Sequence, residues 1–165
     1  MHDLTFRRGC SEDLALISQF NCAMAKETER KELDPGVVLV GSRAVLEDAA
    51  KGFYLLAETT ATPGPAGTPQ SPPKVVGQLL VTFEWSDWRG GNFWWIQSVY
   101  VVPGARRRGV YRGLYAHLLD EAKQRPDVCG VRLYVDKGNV TAQSTYEALG
   151  MERAHYELYE IDFVL

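Results

Sequence analysis

Trp94-Trp95-Ile96-Gln97-Ser98-Val99-Tyr100-Val101-Val102-Pro103-Gly104-Ala105-Arg106-Arg107-Arg108-Gly109-Val110-Tyr111-Arg112-Gly113-Leu114 is the stretch on which the reading of this 165-residue chain turns. Its first half is a strand-like apolar run, and Pro103-Gly104 stops it. Beyond that break the period changes. Val110, Leu114, Leu118 and Ala122 step by four, which predicts a helix over 109–124 ending near Pro126. A strand therefore feeds a basic, glycine-containing turn, and the turn opens a helix. The first amides of a helix lack internal acceptors, and the aligned peptide dipoles place about half a positive charge there. Gly109 allows close approach to the backbone, and Arg106, Arg107, Arg108 and Arg112 add full charges. Such a turn suits a pyrophosphate, although a solvated basic turn on an ordinary surface helix has the same composition. It is neither a Rossmann fingerprint nor a P-loop, which need other glycine spacings and, for the latter, Gly-Lys-Ser/Thr.

Downstream, Val131 to Val135 reads as another strand, and Asn139 is placed to cap a short helix running through Ala148. Gly150 follows where a left-handed residue ends such a helix. Asn139 and Tyr146 are seven residues apart, hence on roughly one helix face. A phenol at that point either donates a proton to a departing thiolate or packs with Ala142 and Leu149. Tyr156 to Phe163 alternates and is expected to form the last strand.

Upstream, Leu4 and Phe6 mark a half-buried strand, and Ser11 is a candidate cap for a helix over 11–29. A second helix is expected over 37–50, a strand over Phe53 to Glu58, and two long strands over Val75 to Trp85 and Asn92 to Val102. The strands flank Trp88-Arg89-Gly90-Gly91, a tight turn. Thr59 to Pro73 contains five prolines and nothing to bury, so the 59–74 region reads as a flexible hairpin connection inside one domain, 1–165. The sum is a mixed α/β, or α+β, single domain on one central sheet. With 18 basic and 21 acidic residues the chain carries a net charge of -3, which argues against nucleic acid or an anionic membrane as its partner. Few cysteines, no CxxC, and no long apolar segment point to a cytoplasmic protein. His2, His117 and His155 have no metal-ligand spacing, so no metal is expected.

Both constellations in this order, with one strand between them, resemble the GNAT superfamily of acyl-CoA-dependent N-acetyltransferases. Arg106-Arg107-Arg108-Gly109-Val110-Tyr111 occupies its Arg/Gln-x-x-Gly-x-Gly/Ala signature, with Tyr111 where a small residue is usual. The resemblance covers about Val75 to Met151 and implies a mostly antiparallel, twisted sheet, splayed at the CoA site and flanked by about four helices. It implies that the backbone of Val99, Tyr100 and Val101 holds the pantetheine arm of acetyl-CoA. By the same resemblance, Arg106, Arg107, Arg108, Gly109, Val110, Tyr111 and Arg112 cradle the diphosphate, and Asn139 contacts the coenzyme arm. Tyr146 sits near the sulfur as general acid.

The acceptor side is less determined. Many amine-acetylating relatives carry a carboxylate on the strand before the turn, where this chain has Gln97, which orients an amine or a water but takes no proton. Glu84 is the alternative base on a neighbouring strand, equally readable as a solvent-facing glutamate. Glu27, Trp85, Trp95 and Gln97 are candidate acceptor contacts. Glu29 and Asp87 add to an acidic set that hints at a cation, and the tryptophans of residues 85–95 suit a cation's approach or simple core packing. The expected activity is transfer of acetyl from acetyl-CoA to a primary amine of a small cationic molecule by direct attack. Peptide or protein N-acetylation and a non-catalytic acyl-CoA-binding module are the alternatives. The exposed last strand and the tryptophan-rich hairpin offer a homodimer its surface.

Overall fold

A computed structural model describes residues 4–60 and 72–163, so the proline-rich connection lies largely outside the described residues. The chain divides into two compact units, meeting in sequence at Tyr134 and Val135. The first contains β1 (Leu4–Arg8), α1 (Leu14–Thr28), α2 (Pro35–Glu47), β2 (Phe53–Thr59), β3 (Lys74–Ser86), β4 (Gly91–Val101), α3 (Val110–Lys123) and β5 (Val128–Leu133). The second contains α4 (Val140–Ala148).

The five strands form one sheet in the order β1-β2-β3-β4-β5. Every neighbouring pair is antiparallel except β4 with β5. That single parallel pair follows from α3, the crossover that returns the chain to the same end of the sheet. β2 is apolar in a continuous run because both its faces are covered. Tyr54 and Leu56 pack with Ile17 of α1 and partly buried Val45 and Leu46 of α2. Leu114 and Leu118 of α3, fully buried, stand on the other face with Leu55 and Leu79. The fourfold spacing read from the sequence is thus the buried stripe of α3.

A polar network crosses the α1–α2 side of this core. Gln78, wholly buried, donates from Nε2 to Asn21 Oδ1 at 2.7 Å. Asn21 Nδ2 lies 3.1 Å from Ser42 Oγ and 3.2 Å from the Tyr54 hydroxyl. Four elements are held by these bonds: α1, α2, β2 and β3.

The helix starts differ from the sequence expectation, for local reasons. Residues Ser11–Asp13 form a 3-10 turn, with Cys10, not Ser11, in the capping position. Asp13 accepts the Cys10 amide at 2.9 Å and both Nη atoms of Arg7 at 2.6 and 2.8 Å. α2 begins at Pro35, because proline is tolerated in a first turn whose amides need no internal partner. Asp34 caps it, accepting from Gly36 and Val37 at 2.7 and 3.1 Å. β5 runs three residues earlier than the Val131 start expected. The strand expected over Tyr156 to Phe163 does not form. Alternation supplies a pattern but no partner, and among the described residues the second unit contains no other strand with which to build a ladder.

Candidate active site

β4 is the hinge of the site. Its pairing with β5 covers only Asn92 to Ile96, whereas its pairing with β3 continues to Val101. Between Ile96 and Ser98 the register with β3 slips, leaving Gln97 as the extra residue of a bulge. Beyond it, β4 is paired on one side only within the sheet. The Val102 amide donates to the Val76 carbonyl at 3.0 Å. Strand alternation therefore points the main-chain groups of Val99 and Val101 away from β3, toward the open side. The splay expected from the resemblance is present, and its edge offers Val99 and the Val101 amide to an extended ligand. Arg106 Nε already donates to the Val101 carbonyl at 2.9 Å.

A 3-10 turn, Pro103–Ala105, leads into the basic bend. Arg107 and Gly109 both have positive φ, 60° and 80°. Gly109 occupies the capping position of α3 with no side-chain cap. The Gly113 amide closes the first helical bond on the Gly109 carbonyl at 2.9 Å. The amides just before it precede any internal hydrogen bond of α3 and are left for an outside acceptor. A Cβ at Gly109 would meet no protein atom within 4 Å, so the space over this turn is open. Arg107, Arg108 and Arg112 are exposed around it. These features fit a diphosphate. A cavity beside the bend is lined by Val76, Val102, Ala105 and Val110 together with Lys74, Arg107 and Arg108. Lys74 is a cation that the sequence reading did not single out; its only signal was a basic residue beginning β3.

Arg106 is differently employed from its neighbours. Its guanidinium pairs with Glu27 at the end of α1, whose other oxygen accepts the Tyr100 hydroxyl at 3.1 Å. The Arg106 hydrogen bond holds the Glu27 carboxyl below its ordinary range, and the Tyr100 bond adds to this. Burial, with the Glu27 bond, pushes the Tyr100 phenol up. Glu27 thus braces the bend against α1, and Tyr100 contributes its buried ring to the core.

The acceptor candidates divide between the sheet's faces. Gln97 Nε2 donates to Thr82 Oγ1 at 2.8 Å, and Thr82 is paired with Trp95. Glu84 follows Thr82 by two and shares its face. Arg132, opposite Trp95 on β5, pairs with Glu84 at 2.8 Å. Tyr134 meets Trp95 with ring centroids 4.5 Å apart. Gln97, Glu84 and Trp95 are brought together on this floor, and Trp85 is not. Trp85 falls on the opposite face, with Phe83 and Trp94, because it is one residue out of phase with Glu84. Arg132 was missed in the sequence, where it reads as one polar residue in an apolar strand. Asp87 is turned onto the Trp88 amide at 2.9 Å, and Glu29 lies 3.9 Å from Lys31.

In the second unit, Asn139 caps α4 as expected, its Oδ1 accepting the Ala142 amide at 3.1 Å. Gly150 has φ 86°, the left-handed ending anticipated. Burial pushes the Tyr146 phenol above its ordinary 10. Among the described residues no group of three or more His, Cys, Asp or Glu is placed to hold a metal ion, and no helix is long and apolar enough to cross a membrane.

A family model described as the acetyltransferase (GNAT) family matches residues 26–151. A thialysine N-epsilon-acetyltransferase from Bos taurus is 33% identical over 102 residues, 61% of this chain and 56% of that protein. The matched stretch thus spans little more than half of that relative. Among solved structures, a possible acetyltransferase from Clostridium difficile 630 superposes with a TM-score of 0.86 at 40% identity, covering 98% of this chain and 99% of the other. An aminoglycoside N-acetyltransferase in complex with CoA superposes with a TM-score of 0.70 at 14% identity, covering 98% and 96%, a likeness of fold alone.

Proposed function

Because the chain belongs to the GNAT family of acetyltransferases, whose acyl donor is acetyl-CoA, we propose that it transfers acetyl from acetyl-CoA to a primary amine of a small molecule by direct attack. We further propose that its two units work as one catalytic domain. The observation that carries this reading is the pairing of the one-sided edge of β4 with the uncapped, arginine-ringed start of α3.

The thioester supplies an activated acetyl carbonyl and a thiolate leaving group. Val99 and Val101 would hold the pantetheine arm as an added strand, Val99 through both its main-chain groups and Val101 through its amide. The amides from Arg107 to Arg112 would hold the diphosphate, with Arg107, Arg108 and Arg112 adding charge. Asn139, its side chain committed to the α4 cap, would touch the coenzyme arm from the end of that helix. Tyr146 would protonate the departing sulfur, and a phenol kept neutral by burial remains a donor throughout the working pH range.

On the acceptor side, Gln97 is fixed by Thr82 with its carbonyl oxygen left to accept from an amine N–H. Neither Gln97 nor the Arg132-bound Glu84 is arranged as a strong base, so the amine arrives neutral or loses its proton to water. Glu27 acts at one remove, by holding Arg106. Initial rates of thiol release with acetyl-CoA and a panel of small amines and peptides test the reading. Turnover on small amines supports it; turnover on peptides alone, or CoA binding without any transfer, overturns it.

A further inference from the structure

Lys74 begins β3 and lies past the end of the β4 ladder. The Val102 amide donates to the Val76 carbonyl at 3.0 Å, so Lys74, two residues earlier in an antiparallel pair, stands level with the Pro103–Ala105 turn. Strand alternation puts Lys74 on the face of Val76, and both line the cavity of about 1020 Å³ beside the bend. Arg107 and Arg108 line it too, and among the described residues no carboxylate does. The acids on adjoining segments are engaged elsewhere. Glu58, next to the Thr59 that pairs with Lys74, is held by Arg7, and Glu27 is held by Arg106. Lys74, Arg107 and Arg108 have no ion pair among the described residues. Arg107 keeps its place in this lining at a φ of 60°, a conformation that favours glycine. A Cβ at Gly104 would meet nothing within 4 Å, so the space is open on this side of the bend as it is over Gly109.

In the reading above the diphosphate lies on the amides from Arg107 to Arg112, which leaves the charge of Lys74, on the neighbouring strand, without a counterpart. We infer that Lys74 receives the 3′-phosphate of CoA, so that this protein selects CoA over donors that lack that group; this rests on the acetyl-CoA reading above. The 3′-phosphate is carried by the same ribose whose 5′ oxygen bears the diphosphate, so a diphosphate on the bend brings it close by. A phosphomonoester is largely a dianion at neutral pH, its second pKa being about 6. The compact charge of an ammonium matches such a group and needs no planar fork. Val76, Val102 and Val110 in the same lining give the nucleoside an apolar wall. Lys74 is thus a specificity residue for the donor, separate from the amides that hold the diphosphate.

Calorimetry compares CoA with dephospho-CoA, which lacks only that phosphate, in wild type, Lys74→Met, Lys74→Arg and Arg112→Gln. Wild type is expected to bind CoA about tenfold more tightly, the lower range for a hydrogen bond to a charged group. Lys74→Met brings the ratio toward one by weakening CoA alone. Its unchanged affinity for dephospho-CoA then shows the fold and the diphosphate site intact, a result that a misfolded protein cannot imitate. Lys74→Arg restores most of the preference, and Arg112→Gln weakens both ligands alike and leaves the ratio standing. A wild-type ratio near one, or a ratio unmoved by Lys74→Met, overturns the inference while the CoA reading stands. Binding of neither ligand overturns both. Protein that shows the ratio but acetylates no amine supports the inference, and the transfer reading falls separately.

Discussion

Tyr146 and Gln97 carry different parts of the proposed chemistry, and each has its own signature in rates. Tyr146→Phe removes only the hydroxyl. Turnover is expected to fall about a hundredfold, the lower range for a positioned acid, with the CoA dissociation constant little changed. Because burial raises this phenol, any loss of rate through its ionisation falls above pH 10. A pH–rate profile whose alkaline limb lies well below that value counts against Tyr146. Gln97→Glu places a carboxylate at the bulge beside Thr82. Since a glutamate takes a proton that a glutamine cannot, activity near neutral pH should rise relative to that at high pH; an unchanged profile removes Gln97 from the acceptor's side. The sequence made both residues legible, one from its helix spacing and one from its strand. It did not reveal the bulge, because an extra residue in a ladder is visible only against the partner strand. Arg132 was hidden for a similar reason: its meaning depends on Glu84, which is remote in the chain.

Elements are joined by polar contacts that substitution can probe. Arg7 of β1 forks onto Asp13 and also donates from Nε to Glu58 of β2 at 2.9 Å. Its hydrogen bonds, led by those to Asp13, push the Arg7 guanidinium up. The same Arg7 bonds hold Asp13 at about 2, below its ordinary 3.8. Since the folded value is the lower one, this stabilisation is fully present above pH 4 and is lost as pH falls toward 2. Urea midpoints measured from pH 5 to 2 should decline less steeply in Asp13→Asn than in wild type. Asn21→Ala should cost about 1–3 kcal/mol in urea unfolding, because it strands the buried Gln78 amide. The helices were readable from apolar spacing. Their starts were not, since Asp13 answers to Arg7 and Asp34 to the amides after Pro35, both choices of local geometry. The missing strand over 156–163 shows the converse limit: an alternating pattern states which side chains share a face but names no neighbour.

For the whole molecule, the strand, basic turn and helix of residues 94–114 were legible before any coordinates, and with them the place of the bend proposed to receive the diphosphate. Charge and periodicity are local, and the proposed diphosphate site is built from local backbone. The acceptor floor draws on β3, β4 and β5 at once, and the cavity beside the bend draws on β3 and α3, so Arg132 and Lys74 gained meaning only from the fold. Gly109 is where the central claim is most exposed, because its left-handed φ and the empty space over it leave room for a ligand and for nothing else in the protein. Calorimetric titration of CoA into wild type and Gly109→Leu, both shown folded by thermal melts, tests this directly. Saturable wild-type binding that weakens at least tenfold in Gly109→Leu is the expected result. Absence of heat in wild type at millimolar CoA, or equal affinity in the two proteins, would contradict it.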